Sequence, residues 1–295
     1  MSLQTLTDVA APAKLNLFLH IVGRRPDGYH LLQSVFVLID WCDTLHFERR
    51  NDGRIARHDL TTPLPEDDLC LRAARALQSA CGTRYGADIS IDKQVPWGAG
   101  MGGGSSDAAS TLLALNRLWG LDWPRSRLMA LGLSLGADVP FFIGGQNAFV
   151  EGIGECLTPL TLPRQWFAVM KPAAAIETRA IFASPLLARG HNADKVASFL
   201  ADAGIQSLLN GYGCNVMQPP AEVECPDVTK VARVLAERFG NSRMTGSGSA
   251  VFARAGTGDQ PTALLPSECP EGWVGRMCRS LVQHPLRGWA TDDQV

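Results

Sequence analysis

Val95-Pro-Trp-Gly-Ala-Gly-Met-Gly-Gly-Gly-Ser-Ser-Asp-Ala-Ala109 packs five glycines ahead of two serines, an aspartate and the start of an apolar helical pattern. Glycine lets backbone approach an anion with no Cβ in the way. The unpaired N–H groups of a following helix point at the same place with the positive end of its dipole. The stretch therefore predicts a phosphate cradle for a nucleotide, set against the plain alternative of a glycine-rich turn. Gly98-x-Gly100-x-x-Gly103 also satisfies the dinucleotide fingerprint, but that fold wants a βαβ unit with an acidic residue roughly 20 residues on. Asp122 has that spacing, yet Trp119-Gly-Leu-Asp-Trp-Pro124 reads as a helix end and turn. No Lys-Ser/Thr pair follows the glycines, which removes the P-loop reading. The helix must then supply much of the phosphate binding, and a cation must come from elsewhere in the chain.

The rest of the chain is ordinary globular material. Its 295 residues, 46% hydrophobic, suffice for a substantial core in one large or two modest domains. A formal net charge of -2 without long basic runs gives no electrostatic footprint for nucleic acid or an anionic membrane. No apolar run reaches the roughly 18 residues that span a bilayer, and no leader pattern opens the chain, so a cytoplasmic location is expected. The eight cysteines form no C-x-x-C pair and no zinc-spaced cluster, and read as reduced thiols.

Residues 13 to 21 alternate, placing Leu15, Leu17, Leu19 and Ile21 on one face and Lys14, Asn16 and His20 on the other, which is expected to be exposed. A turn at Arg24-Arg-Pro-Asp-Gly28 leads to a second strand near Gln33 to Ile39. Helical periodicity covers Leu69 to Ala80, and alternation returns from Asp88 to Val95. Ser106 or Asp107 is placed to cap the helix through Leu112, Leu113, Leu115 and Leu118. A further helix, about Arg125 to Leu135, ends just before Asp138. The proline-rich interval from Pro159 to Pro172 reads as a seam, dividing the chain into 1–160 and 161–295. Beyond it, helices are expected at Asp194 to Ala203 and Val228 to Phe239, and strands at Gln165 to Met170 and Ala250 to Ala253. The tail after Trp289 is expected to be loose.

A nucleotide kinase without a Walker lysine needs a cation near the transferred phosphoryl, a group to orient or deprotonate the acceptor, and Mg²⁺. Lys14 and Asp138 are the candidates. Asp138 stands in Leu135-Gly-Ala-Asp-Val-Pro-Phe-Phe142, between a helix end and an apolar stretch, where a helix-capping role competes with a catalytic one. Lys14, taken alone, reads more readily as a solvated strand residue.

Five segments in order decide between these readings: Ala11-Pro-Ala-Lys-Leu-Asn-Leu-Phe-Leu19, Arg24-Arg-Pro-Asp-Gly-Tyr-His30, Pro96 to Ser106, Gly136-Ala-Asp-Val-Pro-Phe-Phe142 and Gly246-Ser-Gly-Ser-Ala-Val-Phe252. Together they resemble the galactokinase, homoserine kinase, mevalonate kinase and phosphomevalonate kinase superfamily, over about residues 11 to 253. The resemblance implies a two-domain α+β fold, an N-terminal ATP domain with a mixed sheet and a C-terminal domain of helices over an antiparallel sheet. It implies ATP as donor with Mg²⁺, bound by Pro96, Trp97, Gly98, Ala99, Gly100, Met101, Gly102, Gly103, Gly104, Ser105 and Ser106. Asp138 becomes the general base, with Lys14 stabilising it and the developing charge.

The Asp27-Gly-Tyr-His30 element is similar to that of the members whose small-molecule acceptor is a cytidine diphosphate-linked methylerythritol. That implies an acceptor site of Asn16, Tyr29, His30, Asp138, Thr178 and Phe182, with the pyrimidine stacked between Tyr29 and Phe182 and its polar edges read by His30. Neither nucleic acid nor membrane is an expected partner, and the chain is expected as a monomer or homodimer. Three positions depart from the family's pattern: Asp68 for an asparagine, Met101 for a leucine, and Glu177 for a small residue before the threonine. The rivals are a sibling kinase acting on homoserine or mevalonate, which has no use for a stacked cytosine, and a nucleotide-binding protein that keeps the loop but lacks Lys14 or Asp138.

Overall fold

The computed structural model describes residues 3–191, 193 and 197–292. Two long strands, β1 (Thr5–Arg24) and β2 (His30–Arg50), form an antiparallel hairpin whose four register shifts bend it across the molecule. The hairpin turn closes with Arg25 N–H donating to the Tyr29 carbonyl at 2.7 Å, while Gly28 takes φ 93°, a left-handed conformation suited to glycine. The alternation predicted for residues 13 to 21 is present, but its polar face is not exposed. Lys14, Asn16 and His20 are all buried. The C-terminal half covers them: Leu19 N–H donates to Cys214, Val216 N–H to Leu19, and Asn16 N–H to the Thr245 hydroxyl. A strand pattern cannot show which segment, distant in sequence, will lie on its second face.

Strand β3 (Ile55–Asp59) runs parallel to β4 (Gly86–Asp92), and α1 (Leu69–Cys81) makes the crossover between them. Asp68, the departure noted above, caps α1 by accepting Leu71 N–H at 3.0 Å and pairs with Arg57 at 2.7 Å. Asp68→Asn is expected to preserve most of the stability, because asparagine caps as well as aspartate and Arg57 keeps Asp59. Asp68→Ala should cost about 1–2 kcal/mol, from the lost cap and ion pair. Urea unfolding checks this, and equal losses from both variants would refute the capping role.

Helix α2 (Gly103–Leu118) lies against the sheet and buries Leu112, Leu113 and Leu115. Its cap is Gly102 at φ 71°, not Ser106 or Asp107, which sit within the helix. The positive-φ glycines turn the chain early, so the helix starts before the polar residues do. Helix α3 (Arg125–Leu133) is shorter than expected, and α4 (Val139–Gly144) follows, then β5 (Ala148–Glu151) and β6 (Cys156–Pro159). The sheet is mixed, in the order β3-β4-β2-β5-β6 with β1 also on β2.

The second sheet is antiparallel and ordered β10-β7-β9-β8. It comprises β7 (Trp166–Lys171), β8 (Arg243–Met244), β9 (Val251–Arg254) and β10 (Val274–Arg279). Around it lie α5 (Thr178–Ala183), α6 (Ala197–Leu200), α7 (Asp202–Leu209), α8 (Gln218–Glu224) and α9 (Pro226–Phe239). The helix expected at 194 to 203 is two short ones, and residues 194–196 lie outside the described residues.

The interval between Pro159 and Trp166 separates the sheets, but not the cores. Phe18, Val37 and Phe149 of the first half pack in one cluster with Phe167, Phe199 and Phe252 of the second. The end of the chain also crosses back. Arg125 Nε holds Asp292 at 2.6 Å, and its Nη atoms bond the carbonyls of Ile143, Arg287 and Ala290, so the expected loose tail is pinned as far as Asp292. Residues 293–295 of that tail lie outside the described residues. No helix among the described residues is long and apolar enough to cross a membrane.

Candidate active site

The glycine loop owes its course to backbone signs that only glycine adopts freely. Gly98, Gly100 and Gly102 have φ of 64°, 72° and 71°. A Cβ on Gly100 would stand 2.2 Å from the Thr245 carbonyl oxygen and 2.9 Å from Gly248 N. The loop is thus held against a second glycine turn, residues 245 to 249, with Ser249 N–H donating to Gly98 and Ala250 N–H to Ala99. A cavity of about 430 Å³ opens over the loop and is lined by every residue from Pro96 to Ser105. Leu64, Asp68, Leu69 and Lys93 of the first half also line it, as do Ile176, Thr178 and Ser247 of the second. Ser106 is buried within α2 and does not line the cavity. Trp97 is 74% exposed at the rim, whereas Met101 fills the core and offers its carbonyl to Lys14 N–H at 2.9 Å.

A second cavity of about 230 Å³ adjoins the first, sharing Gly100, Gly102, Thr178 and Ser247, and contains Lys14, Asn16, Asp138 and Phe182. Asp138 occupies the capping position of α4 but makes no capping bond with its side chain, which settles one of the alternatives posed by its sequence. Its carboxylate instead faces Lys14 Nζ at 3.5 Å and is 30% exposed. Lys14 Nζ also donates to Asn16 Oδ1 at 2.6 Å and lies 4.4 Å from the Phe36 ring centroid. Asn16 in turn donates to Ser34 Oγ and accepts from the Thr245 hydroxyl, so Lys14 is oriented by both halves of the chain. An oriented ammonium thus stands beside a partly open carboxylate at the edge of the glycine loop.

Around Phe182 the arrangement differs from the expected sandwich. His30, not Tyr29, stacks on the Phe182 ring, with centroids 4.8 Å apart and planes at 15°. Tyr29 is 60% exposed on the hairpin turn, because the turn reverses the chain at Gly28 and directs the adjacent positions differently. Burial first, then the charges of Arg189 and Arg24, pull His30 below its ordinary pKa. Thr178 Oγ1 lies 2.7 Å from Ser247 Oγ, joining α5 to the second glycine turn.

Sequence reasoning assigned no site role to Thr245 to Gly248, although their glycine-serine pattern was visible. It also missed a buried ionic cluster beneath the loop. Lys93 Nζ donates to Asp43 Oδ2 and, at 2.6 Å, to Asp107 Oδ2, while Asp43 Oδ1 accepts the N–H groups of Gln94 and Val95. Burial pushes the Asp107 carboxyl up, to about 8. Burial opposes the Lys93 charge, but Asp107 and Asp43 outweigh it and hold its pKa above normal. The cluster ties the strand end, the helix start and β2 together, and its members lie 50 and 14 residues apart. No group of three or more His, Cys, Asp or Glu among the described residues is arranged to hold a metal ion.

Residues 68–146 match the family described as GHMP kinases N terminal domain, and residues 192–265 that of GHMP kinases C terminal. A homoserine kinase from Cytophaga hutchinsonii superposes with a TM-score of 0.71 at 16% identity, covering 95% of this chain and 96% of that one, which shows the shared fold. Fold and family matches define the chain as a GHMP kinase. Its sequence is 64% identical to the 4-diphosphocytidyl-2-C-methyl-D-erythritol kinase of Methylibium petroleiphilum, over 98% of this chain and 100% of that protein. It is 56% identical to the enzyme of the same name from Paracidovorax citrulli, over 99% and 100%. A crystal structure of a 4-(cytidine 5'-diphospho)-2C-methyl-D-erythritol kinase matches with a TM-score of 0.70 at 35% identity, covering 86% of this chain and 90% of that one. The chain belongs to the 4-diphosphocytidyl-2-C-methyl-D-erythritol kinase family.

Proposed function

We propose that the cleft transfers the γ-phosphoryl of ATP to the 2-hydroxyl of 4-diphosphocytidyl-2-C-methyl-D-erythritol, giving the 2-phosphate and ADP in the non-mevalonate route to isoprenoids. The observation that carries this reading is the Lys14–Asp138 pair in the smaller cavity, which shares Gly100 and Gly102 of the glycine loop with the larger one. In this reading the triphosphate lies over Gly98 to Ser105 and the N-terminus of α2. Asp138 accepts the hydroxyl proton, the freed oxygen attacks the γ-phosphorus, and the bond to the β-phosphate oxygen breaks with ADP as leaving group. Lys14 Nζ faces the charge that develops between donor and acceptor.

Mg²⁺ is held by one or two protein oxygens together with the phosphates in sites of this kind. The residues present fit that requirement, since the Asp138 carboxylate and the Ser105 hydroxyl are hard oxygen donors on the two cavity walls. The ion would neutralise phosphate charge.

His30 and Phe182 form the pyrimidine wall in this reading, with Tyr29 free to fold over it. Phe182→Ala is expected to weaken acceptor binding by roughly 1 to 3 kcal/mol, the worth of one stacked base, with ATP affinity unchanged. CMP and CDP should compete with the acceptor and not with ATP in steady-state inhibition. Competition against ATP alone would remove the pyrimidine site. An ADP-release assay with the cytidine diphosphate substrate, homoserine and mevalonate in parallel tests the whole reading, and turnover of either sibling substrate in preference would overturn it.

A further inference from the structure

The wall that Phe182 and His30 make is braced by a residue that no sequence motif pointed to. Arg189, on the exposed segment after α5, aims one guanidinium at both of them. Its Nε donates to His30 Nε2 at 3.4 Å, and its Nη2 donates to the Phe182 carbonyl at 2.8 Å and the Ser184 carbonyl at 3.5 Å. The two carbonyls are at the end of α5, where a cation completes the helix. The same planar fork therefore fixes the backbone under one ring and the edge of the other.

A guanidinium has donors only. His30 Nε2 must then present its lone pair, which places the single ring proton on Nδ1 and leaves the imidazole neutral. We propose that Arg189 is a positioning residue for acceptor specificity: it holds His30 against Phe182 as the Nδ1–H tautomer, giving the site one donor directed by a fixed ring. A pyrimidine edge with a ring nitrogen or carbonyl oxygen as acceptor matches that donor. The inference rests on the reading of this wall as the pyrimidine site.

The charged groups facing His30 are Arg189 from the segment after α5 and Arg24 from the end of β1, both cationic. Protonating His30 would set a second N–H against the Arg189 fork. Removing Arg189 takes away one repulsive charge, so the pKa of His30 moves up toward its ordinary value of 6.5.

The test is a steady-state comparison of wild type, Arg189→Met, Arg189→Lys, His30→Asn and the His30→Asn/Arg189→Met double variant from pH 5.5 to 8.5. Arg189→Met is expected to raise the acceptor KM roughly tenfold, the scale of one charge-assisted hydrogen bond, with the ATP KM and the saturated kcat within about twofold of wild type. Its acceptor KM should begin to climb at a higher pH than in wild type as the medium is acidified. Arg189→Lys keeps the charge and should retain the wild-type pH profile. The double variant should lose less than the two single losses combined, because Arg189 acts mainly through His30 and only the remainder through the Phe182 carbonyl. Additive losses in the double variant, an unshifted pH profile in Arg189→Met, or equal changes in both substrates' KM values would each overturn the proposal. If instead His30→Asn and Phe182→Ala both leave the acceptor KM unchanged, the pyrimidine-site reading fails with it; a loss in those two without one in Arg189→Met sinks only the role of Arg189.

Discussion

Asp138→Asn is expected to lower turnover by about 10²- to 10⁴-fold, the range for loss of a general base, while ATP still binds. The substitution is nearly isosteric, and Asp138 makes no capping bond that its loss would disturb, so the fold of α4 should stand. Lys14 keeps Asn16 as a partner and is not left stranded. Single-turnover measurements with saturating ATP and acceptor isolate the chemical step, and calorimetry with a non-hydrolysable ATP analogue reads the nucleotide affinity. A variant with near-normal single-turnover rate would refute the assignment of Asp138. One that lost both turnover and nucleotide affinity would make it a ligand-binding residue instead. The role depends on a 3.5 Å approach between residues 124 positions apart, whose sequence spacing gives no hint of it.

The largest expected effect on stability lies below the active site. Lys93→Met removes the single cation between Asp43 and Asp107, which are both almost fully buried. At neutral pH burial keeps Asp107 largely protonated, so removing the ammonium leaves the buried Asp43 carboxylate without its counter-charge, and the expected cost is roughly 3–5 kcal/mol by urea unfolding. Because Asp43 also accepts the N–H groups of Gln94 and Val95 just ahead of the glycine loop, nucleotide affinity should fall with it if the loop binds phosphate as proposed. A Lys93→Met protein within about 1 kcal/mol of wild type would show that water or a shifted side chain satisfies the carboxylates.

The pH dependence has a definite sign. Burial raises the folded-state pKa of Asp107, so the stability this group contributes is complete below its unfolded pKa and is lost as pH rises through about 8. Asp107→Asn should therefore flatten that part of the stability profile. An unchanged slope between acid and mildly alkaline pH would place the effect elsewhere.

Much of the frame was legible because local physics dictates it. The alternation at residues 13 to 21, the periodicity of 69 to 80 and 228 to 239, and the glycine run ahead of an apolar helix each meet the geometric demand of one element. The observed α1, α9 and α2 follow them within a few residues, while β1 contains the alternating stretch but begins eight residues before it, at Thr5. The cap of α2 was misplaced because a positive-φ glycine ends the turn as effectively as a serine side chain would, and the polar residues further on drew the boundary toward themselves. The short strands β3, β5 and β6 carry too few residues to display a period, and their pairing with distant partners is what makes them strands.

The sequence by itself determined, through residue type and near spacing, that a glycine run precedes an apolar helix, and, through the resemblance of five ordered segments to one superfamily, that the chain is an α+β kinase with Lys14 and Asp138 as its nominated charge- and proton-handling residues. Only the tertiary structure decided that Lys14 is buried and oriented by Asn16, that the loop leans on Thr245 to Ser249, that Lys93 joins two carboxylates under it, and that His30 rather than Tyr29 stacks on Phe182. Each of these joins segments up to some 230 residues apart, where burial and hydrogen-bond satisfaction are set by the whole packed chain and leave no period or spacing to read.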